Sequence, residues 1–279
     1  MTSFPIICDT AADRQFHLAI REQYPESYEF EARYVEHEMA HIGHFFATEL
    51  CPVQGKEVLE FGCNIGATSI VLAHYGARVT AVDISPANVD IARLNAKRYA
   101  STGIQFQQVH EGEPLPFEDA AFDVITCNSV LEYVRPELLA GVQQDLNRLL
   151  KPGGLLLVYG TSNRLSPVEA HSREWLNNYI PRRLDRLSGR RRERGVSPWK
   201  LRRGFGPHYE DQLAGRTGAR QFVELKRLMG VDSWKLRVVS TLGALLAISP
   251  ISAPLLMPFA AVLLRKPADG ASTAPRPAN

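Results

Sequence analysis

The sequence predicts an α/β fold in which a mostly parallel sheet carries helices on both faces. Short apolar runs of strand length alternate with longer helical stretches through residues 57–160. Because parallel strands need a crossover connection, this alternation is typical of repeated βαβ units. Composition agrees, since 45% apolar and 22% charged residues in a chain of 279 are enough to build a sizeable core.

Each element of this fold has its own local signal. The predicted strands are Glu57–Phe61, Arg78–Val82, Ile104–Val109, Phe122–Cys127, Leu155–Tyr159 and a last strand at Phe259–Arg265. The predicted helices cover residues 26–50, Ala67–Tyr75, Ala87–Tyr99 and Pro136–Leu150. Apolar side chains recur every three to four positions in the first helix. Ser85-Pro86 supplies an N-cap and a first-turn proline for the third helix, and the Lys151–Gly154 turn ends the fourth.

The predicted organisation has five parts along the chain. An N-terminal helical cap covers residues 1–52, a cofactor-binding core residues 53–160, and a basic, partly apolar insert on the substrate side residues 161–256. Residues 257–267 return to the core as its last strand. The tail 268–279 is rich in Pro, Ala, Gly and Ser, a composition typical of disorder.

A glycine-containing segment, Glu60–Gly66, lies where the first predicted strand gives way to a helix. Glycine permits a sharp turn and a close approach to a ligand, and ligands of α/β sheets bind at the carboxyl ends of strands. Asp83 follows Gly62 by 21 residues, at the end of the second strand, where a carboxylate accepts hydrogen bonds from ribose hydroxyls. By itself the segment also fits a dinucleotide fingerprint with one substitution, or a tight turn without any ligand.

Four blocks follow one another in order: Val58–Ser69, Glu111–Phe117, Ala121–Val134 and Leu149–Val158. Together they resemble the class I S-adenosylmethionine-dependent methyltransferases, particularly the small-molecule group that includes the ubiquinone-type O-methyltransferases. The resemblance covers about residues 55–160. It implies a Rossmann-like fold with a seven-stranded, mostly parallel sheet, and S-adenosyl-L-methionine as the cofactor.

The resemblance also implies roles for matching residues. The positions assigned to the cofactor are Glu60, Gly62, Asn64, Gly66, Asp83, Ile84, Glu111 and Asn128. The Glu60 carboxylate would meet the ammonium group of the methionine moiety, and Asp83 would hold the ribose. Ile84 would pack on the adenine and Glu111 would lie near its edge, while Asn128 would face the transferred methyl. The chain departs from the family where Asn64 replaces a usual glycine and Tyr133 a frequent histidine.

The acceptor side depends on the insert, where residues 161–175 resemble a stretch that follows the fifth strand in many bacterial ubiquinone-type methyltransferases. On that basis Glu169 and His171 are the candidate catalytic residues. A neutral histidine titrates near neutral pH and suits the role of general base. The alternative is that both residues only attach the insert to the core. His208 is a weaker candidate and is expected in a surface loop.

His37-Glu38-Met39-Ala40-His41 matches the H-E-x-x-H pattern of zinc proteases on a predicted helix. The extended form of that pattern fails, because His44 stands where glycine is required. No metal is therefore predicted, and the three histidines are assigned either to the lining of the cap or to solvated helix positions.

The charge distribution bears on the partners. Residues 181–203 contain ten Lys/Arg against Asp185 and Glu193, so this stretch carries +8 and the remainder of the chain −6. The arginines form either a solvated face or a site for a local anionic partner, such as a phosphate or an anionic lipid headgroup. The apolar stretch Val238–Leu264 is interpreted as a buried helix plus the last strand, and docking of this stretch with the arginines on an anionic membrane surface is the alternative. Nucleic acid is not expected, since aromatic residues are not interleaved with the arginines. A signal peptide and cysteine pairing patterns are not recognisable, which predicts a cytoplasmic protein.

The sequence thus predicts an enzyme that transfers a methyl group from S-adenosylmethionine to a small-molecule acceptor. A hydroxyl of a glycan, an isoprenoid-linked molecule or a lipid-like molecule is the expected methyl acceptor. A non-catalytic S-adenosylmethionine-binding protein and an NAD-dependent oxidoreductase remain the alternatives.

Overall fold

A computed structural model describes residues 5–169, 172–181, 184–185, 194–206, 208–246 and 251–268. The helices are α1 Thr10–Gln23, α2 Tyr28–Ala32, α3 Tyr34–Ala40, α4 Gly43–Phe46, α5 Ala67–His74, α6 Pro86–Arg98, α7 Leu139–Leu149, α8 Pro198–Arg203, α9 Gly215–Leu228 and α10 Ser233–Leu245. The strands are β1 Glu57–Phe61, β2 Arg78–Asp83, β3 Ile104–Gln108, β4 Phe122–Asn128, β5 Leu150–Ser162, β6 Glu210–Asp211 and β7 Phe259–Arg265. Within the described residues, no helix is long and apolar enough to cross a bilayer.

The strands form a seven-stranded sheet in the order β3-β2-β1-β4-β5-β7-β6. The β1–β2, β1–β4 and β2–β3 pairs are parallel, while β7 runs antiparallel to β5 and β6. The predicted mostly parallel, seven-stranded sheet is therefore confirmed. The two-residue strand β6 comes from residues predicted as insert, so this insert also supplies part of the sheet.

The chain separates into two compact units, Met1–Phe117 with Ala121–Thr126 and Glu118–Ala120 with Cys127–Asn279. In the first unit the central strand β1 is buried on both faces, as its consecutive buried residues Val58 and Leu59 show. The register aligns Phe61 with Val82 and Asp83 with Gln108, so β1, β2 and β3 end at one edge. The residues following these ends make up the candidate site.

The N-terminal region differs from the prediction of one helix over residues 26–50. Three short helices, α2, α3 and α4, divide that range. The chain leaves helical geometry at His41, where φ is −118° and ψ −85°. A preceding helix, α1, was not predicted; the Asp9 side chain caps it by accepting hydrogen bonds from the backbone N–H groups of Ala11 and Ala12.

Helix α1 is held against α6 by a buried arginine. The Arg98 side chain is 2% exposed, and its Nε lies 2.8 Å from Asp13 Oδ1 on α1. Its guanidinium also stacks on the Phe16 ring, with Cζ 3.9 Å from the ring centroid, and donates to Asn95 Oδ1. Asn95 in turn donates through Nδ2 to the carbonyl of Ile65, 2.8 Å away in the glycine-containing segment. The Asp13–Arg98 ion pair and the two hydrogen bonds of Asn95 therefore connect α1 to the glycine-containing segment.

In the second unit, the predicted turn at Lys151–Gly154 already belongs to a longer strand. The strand β5 begins at Leu150 and pairs with β7 from Leu155 onward. Gly153 adopts φ +76° there, and its N–H donates to the carbonyl of Lys266. The glycine therefore bends the start of the strand and does not end the sheet pairing.

We expect Arg98→Ala to lower the free energy of unfolding by about 3 kcal/mol, because Asp13 would keep a partly buried charge without its partner. Urea titration checks this value. The matched control is Arg78→Ala, which removes an exposed arginine paired with Glu57 and should change stability by less than about 0.5 kcal/mol. Equal losses in the two variants would contradict the importance of the Arg98 contacts.

Candidate cofactor site

The segment Glu60–Gly66, here called the cofactor loop, is fixed to the end of β2 by its backbone. The N–H groups of Gly62 and Cys63 both donate to the carbonyl of Val82, at 2.9 Å. Asn64 N–H donates to Asp83 Oδ2 at 2.8 Å. The loop is thus closed onto the strand that carries the predicted ribose-binding carboxylate.

Three residues of the loop adopt left-handed backbone angles. The φ values are +79° at Gly62, +47° at Asn64 and +75° at Gly66. Asparagine is among the few non-glycine residues that tolerate this region, which explains physically how Asn64 replaces the family's usual glycine. Gly66 is also limited by space, because a Cβ there would lie 3.0 Å from the Cβ of Ala92.

The carboxylate of Asp83, the predicted ribose contact, is held by two backbone N–H groups. Its Oδ2 accepts from Asn64 N–H and its Oδ1 accepts from Ser85 N–H at 2.9 Å. A carboxylate has about four lone-pair sites, so each oxygen retains capacity for a hydroxyl donor. The carboxylate is half-buried at the edge of the sheet, where both of its oxygens are fixed in position by the backbone.

The neighbouring predicted adenine contacts lie at the same edge. Ile84 directly follows Asp83, and 57% of it is exposed, unusual for an apolar residue beside a core strand. Glu111 lies in an exposed turn after β3, and that strand is tied to β2 because Val109 N–H donates to the carbonyl of Asp83. An exposed apolar side chain next to a fixed carboxylate fits a nucleoside with its flat base and its diol.

Glu60 is placed differently from the other predicted contacts. It is 2% exposed, and one carboxylate oxygen accepts a hydrogen bond from the Ser69 hydroxyl of α5. Burial raises the pKa of Glu60 to about 8, and the charges of Glu38 and Asp83 add to this rise. A buried acid surrounded by carboxylates would be favoured in its charged form by a nearby cation, so the ammonium group of the cofactor is chemically compatible with this position.

Sequence reasoning missed the residues that join the cap to the loop. The Tyr24 hydroxyl, between α1 and α2, lies 2.9 Å from Asn64 Oδ1 and 2.7 Å from Asn88 Oδ1. Burial raises the pKa of Tyr24 to about 12, so the phenol keeps its proton to donate. Tyr24 and Asn64 are 40 positions apart and belong to no motif, so the departure at Asn64 was the one available signal.

In the second unit, Asn128 ends β4 and is half-buried. Ser129 follows with φ +48°, and its N–H donates to the carbonyl of Tyr159 on β5. Gly160 makes this close approach possible, since a Cβ there would lie 2.4 Å from Ser129 Oγ and 3.1 Å from Asn128 Oδ1. Asn128 is therefore held at the end of β4, and its contact with the cofactor stays a prediction.

The two candidate catalytic residues have different outcomes. Glu169 is completely buried, where its carboxylate accepts from the Ser162 hydroxyl and from Ser172 N–H, both at 2.6 Å. These contacts attach the insert to the end of β5. His171 lies outside the described residues, and its role stays a prediction.

The residues of the H-E-x-x-H pattern contact one another and the neighbouring helix α5. Glu38 is 3% exposed and accepts a hydrogen bond from Thr68 of α5. The rings of His37 and His41 stack with centroids 4.1 Å apart, and His41 Nδ1 lies 2.6 Å from the carbonyl of His37. In the part of the chain that the structure describes, no group of three or more His, Cys, Asp or Glu residues is arranged to hold a metal ion.

We expect Glu60 to make stability depend on pH. Between its ordinary value of 4.5 and its raised pKa of about 8, the folded protein keeps the proton that the unfolded chain loses. Stability therefore falls as pH rises through this range. Glu60→Gln stays neutral, so relative to the original protein it should be more stable at pH 8 than at pH 5 when unfolding is measured in urea. A difference between the two proteins that does not change with pH would contradict the pKa shift.

Comparison with known proteins agrees with the geometry. Residues 59–158 match a methyltransferase domain family. The ubiquinone biosynthesis O-methyltransferase of Paracidovorax citrulli is 36% identical over 115 residues, which cover 41% of this chain and 47% of that protein. The corresponding protein of Xylella fastidiosa is 31% identical, over 60% of this chain and 66% of that protein. A demethylmenaquinone methyltransferase of Tropheryma whipplei is 37% identical, over 46% and 51%.

The chain spans about half the length of most of these curated relatives. The matched residues begin in β1 and end in β5, so they include the cofactor loop, Asp83, Ile84, Glu111 and Asn128. This part of the molecule takes S-adenosylmethionine as its cofactor, in agreement with the sequence-based prediction. Strand order, loop geometry and relatives agree that residues 59–158 of this chain are similar to the methyltransferase domain of S-adenosylmethionine-dependent enzymes.

Proposed function

We propose that this protein transfers the methyl group of S-adenosylmethionine to a hydroxyl of a small molecule. The observation that carries this proposal is the cofactor loop closed onto Asp83, with the exposed Ile84 beside it. The names of the matched relatives, which concern ubiquinone and demethylmenaquinone, favour an isoprenoid-linked or lipid-like acceptor. A glycan remains within the same acceptor class, because its methylation also occurs on a hydroxyl.

In this proposal each loop residue has a physical task. Asp83 accepts from the ribose hydroxyls, Ile84 covers the adenine and Glu111 lies at its edge. Glu60 ionises to balance the ammonium group, and Asn128 faces the methionine portion. The cofactor supplies a methyl group already activated on a sulfonium, so the protein's main contribution is alignment of the acceptor with that methyl.

A hydroxyl acceptor benefits from a general base, and we assign this role to His171. Glu169 lies two positions before His171 in the sequence, and its carboxylate accepts hydrogen bonds from Ser162 and Ser172. We therefore propose that Glu169 positions the segment that carries His171 and does not itself remove the proton. We also propose that this chemistry takes place in the cytoplasm.

Asp83→Ala should weaken binding of S-adenosylhomocysteine by at least about 100-fold, because two charge-assisted hydrogen bonds to the ribose are lost. The loop would also lose its Asn64 anchor. Isothermal titration calorimetry measures the dissociation constant. Asp90→Ala removes a more exposed carboxylate from α6 and should bind as the original protein does. Unchanged affinity in Asp83→Ala would refute the proposed ribose site.

His171→Ala should lower kcat by about 10²-fold or more while leaving the affinity for S-adenosylhomocysteine unchanged. The assay follows the labelled methyl of S-adenosylmethionine into a phenol that carries a short isoprenyl chain. The same phenol with its hydroxyl already methylated serves as the negative acceptor. His208→Ala, at an exposed turn, is the matched control. Full activity of His171→Ala would exclude His171 as the base, and no transfer by the original protein would count against the proposed acceptor class.

A further inference from the structure

Two glutamates of the N-terminal cap are buried in the first unit together with Glu60, and the proposed function uses neither of them. Glu38 of α3 is 3% exposed and Glu31 of α2 is 8% exposed. Glu60, the proposed partner of the cofactor's ammonium group, is 2% exposed. Glutamates are almost never fully buried unless they are paired, so three of them in one unit call for a physical reason.

Hydroxyl groups link the cap acids to Glu60. Thr68 of α5 donates a hydrogen bond to Glu38 Oε2 at 3.3 Å, and its hydrogen bonding also lowers the pKa of Glu60. The Tyr34 hydroxyl is hydrogen-bonded to Glu38. The charges of Glu31 and Glu60 add to the rise in the pKa of Tyr34 that burial causes. The three carboxylates are therefore close to one another, around Tyr34 and Thr68.

This group of acids borders the cofactor loop. Glu60 is the first residue of that loop. The charge of Glu31 contributes to the raised pKa of Tyr24, whose hydroxyl lies 2.9 Å from Asn64 Oδ1 in the middle of the loop. The loop is thus approached by carboxylates from the cap as well as from β1.

Two buried oxygen atoms beside these acids have no hydrogen-bond partner in the described part of the chain. One is Oγ1 of Thr126 on β4, a residue that is 0% exposed, and the other is Oε2 of Glu31. The register pairs Thr126 directly with Glu60, so their side chains lie on one face of the sheet, about 5 Å apart. A buried oxygen without a donor is unfavourable, so both atoms favour a bound group that donates hydrogen bonds.

Positive charge near the three acids is limited. His37 Nδ1 lies 3.2 Å from Glu38 Oε1, but the His37 side chain is 43% exposed. Among the described residues, neither Glu31 nor Glu60 forms an ion pair. Burial raises the pKa of Glu31, and the pKa of Glu60 reaches about 8. A cation bound beside them would favour the charged form of these carboxylates.

We propose that Glu31 and Glu38 extend the ammonium site of Glu60, so that the cap and the loop together bind the positive end of the cofactor's methionine moiety. This inference rests on the proposed function, because the ligand is S-adenosylmethionine. An ammonium group carries three N–H donors, which suits a site of several carboxylate and hydroxyl oxygens. A metal ion fits less well, since the described chain has no group of three or more His, Cys, Asp or Glu residues arranged to hold one.

The test compares S-adenosylhomocysteine with its deamino analogue, which keeps the thioether and the carboxylate but lacks the ammonium group. In isothermal titration calorimetry, Glu31→Gln and Glu38→Gln should each bind S-adenosylhomocysteine at least about tenfold more weakly, because a charge-assisted hydrogen bond is lost. Both variants should bind the deamino analogue as the original chain does. Glu36→Gln replaces an exposed acid of α3 and should leave the affinity for both ligands unchanged.

The two ligands separate binding of the ammonium group from support of the fold. Equal weakening for both ligands overturns the extended site, because the cap acids would then only hold the loop in place. Unchanged affinity of the two variants for S-adenosylhomocysteine also overturns it, while the methyltransferase proposal stands. If the original chain binds neither ligand, the proposed cofactor site fails together with this inference. An amine on the methyl acceptor has the same chemistry, but both test ligands lack an acceptor, so weakening specific to S-adenosylhomocysteine identifies the cofactor's own ammonium.

Discussion

One buried guanidinium determines how the N-terminal region meets the cofactor loop. Arg98 ends α6, pairs with Asp13 on α1 and orients Asn95, whose amide donates to the Ile65 carbonyl. Ile65 also packs with Phe16 in one apolar cluster. A buried charge is costly unless it is paired and hydrogen-bonded, so these partners must be present together. The position of the loop backbone consequently depends on α1, a helix far from it in sequence.

The loop itself shows how a departure from a family pattern is accommodated. A left-handed backbone at position 64 favours glycine, yet Asn64 adopts φ +47° and gains a side-chain contact with Tyr24. The cap is therefore connected to the loop twice, through Tyr24 and through Arg98. Glycine at position 64 would satisfy the backbone equally well but could not form the contact with the cap. Asparagine at position 64 thus has less backbone freedom than glycine would have, but it connects the cofactor loop to the N-terminal region through Tyr24.

The C-terminal helices illustrate a different constraint. Helix α10 must bury Val239 and Gly243 against the protein, yet the sequence also places Trp234, Val238 and Leu245 on its opposite face. Such a helix exposes apolar surface unless a further partner covers it. The helix therefore supports the core on one side and exposes apolar side chains on the other.

The sequence by itself determined the sheet elements and the cofactor edge, because strands, turns and glycine-rich loops are specified by neighbouring residues. The bounds of β1 and β7 were predicted without error, and Asp83 was placed correctly at the end of β2. Only the tertiary structure decided the division of residues 26–50 into three helices, the burial of Glu169 and Arg194, and the contact of Tyr24 with the loop. These features depend on contacts between residues distant in the chain, which leave no local periodicity to recognise. The apolar stretch after Val238 shows this most clearly, because hydropathy alone does not distinguish the exposed Val238 and Leu245 from the buried Ala260–Leu264.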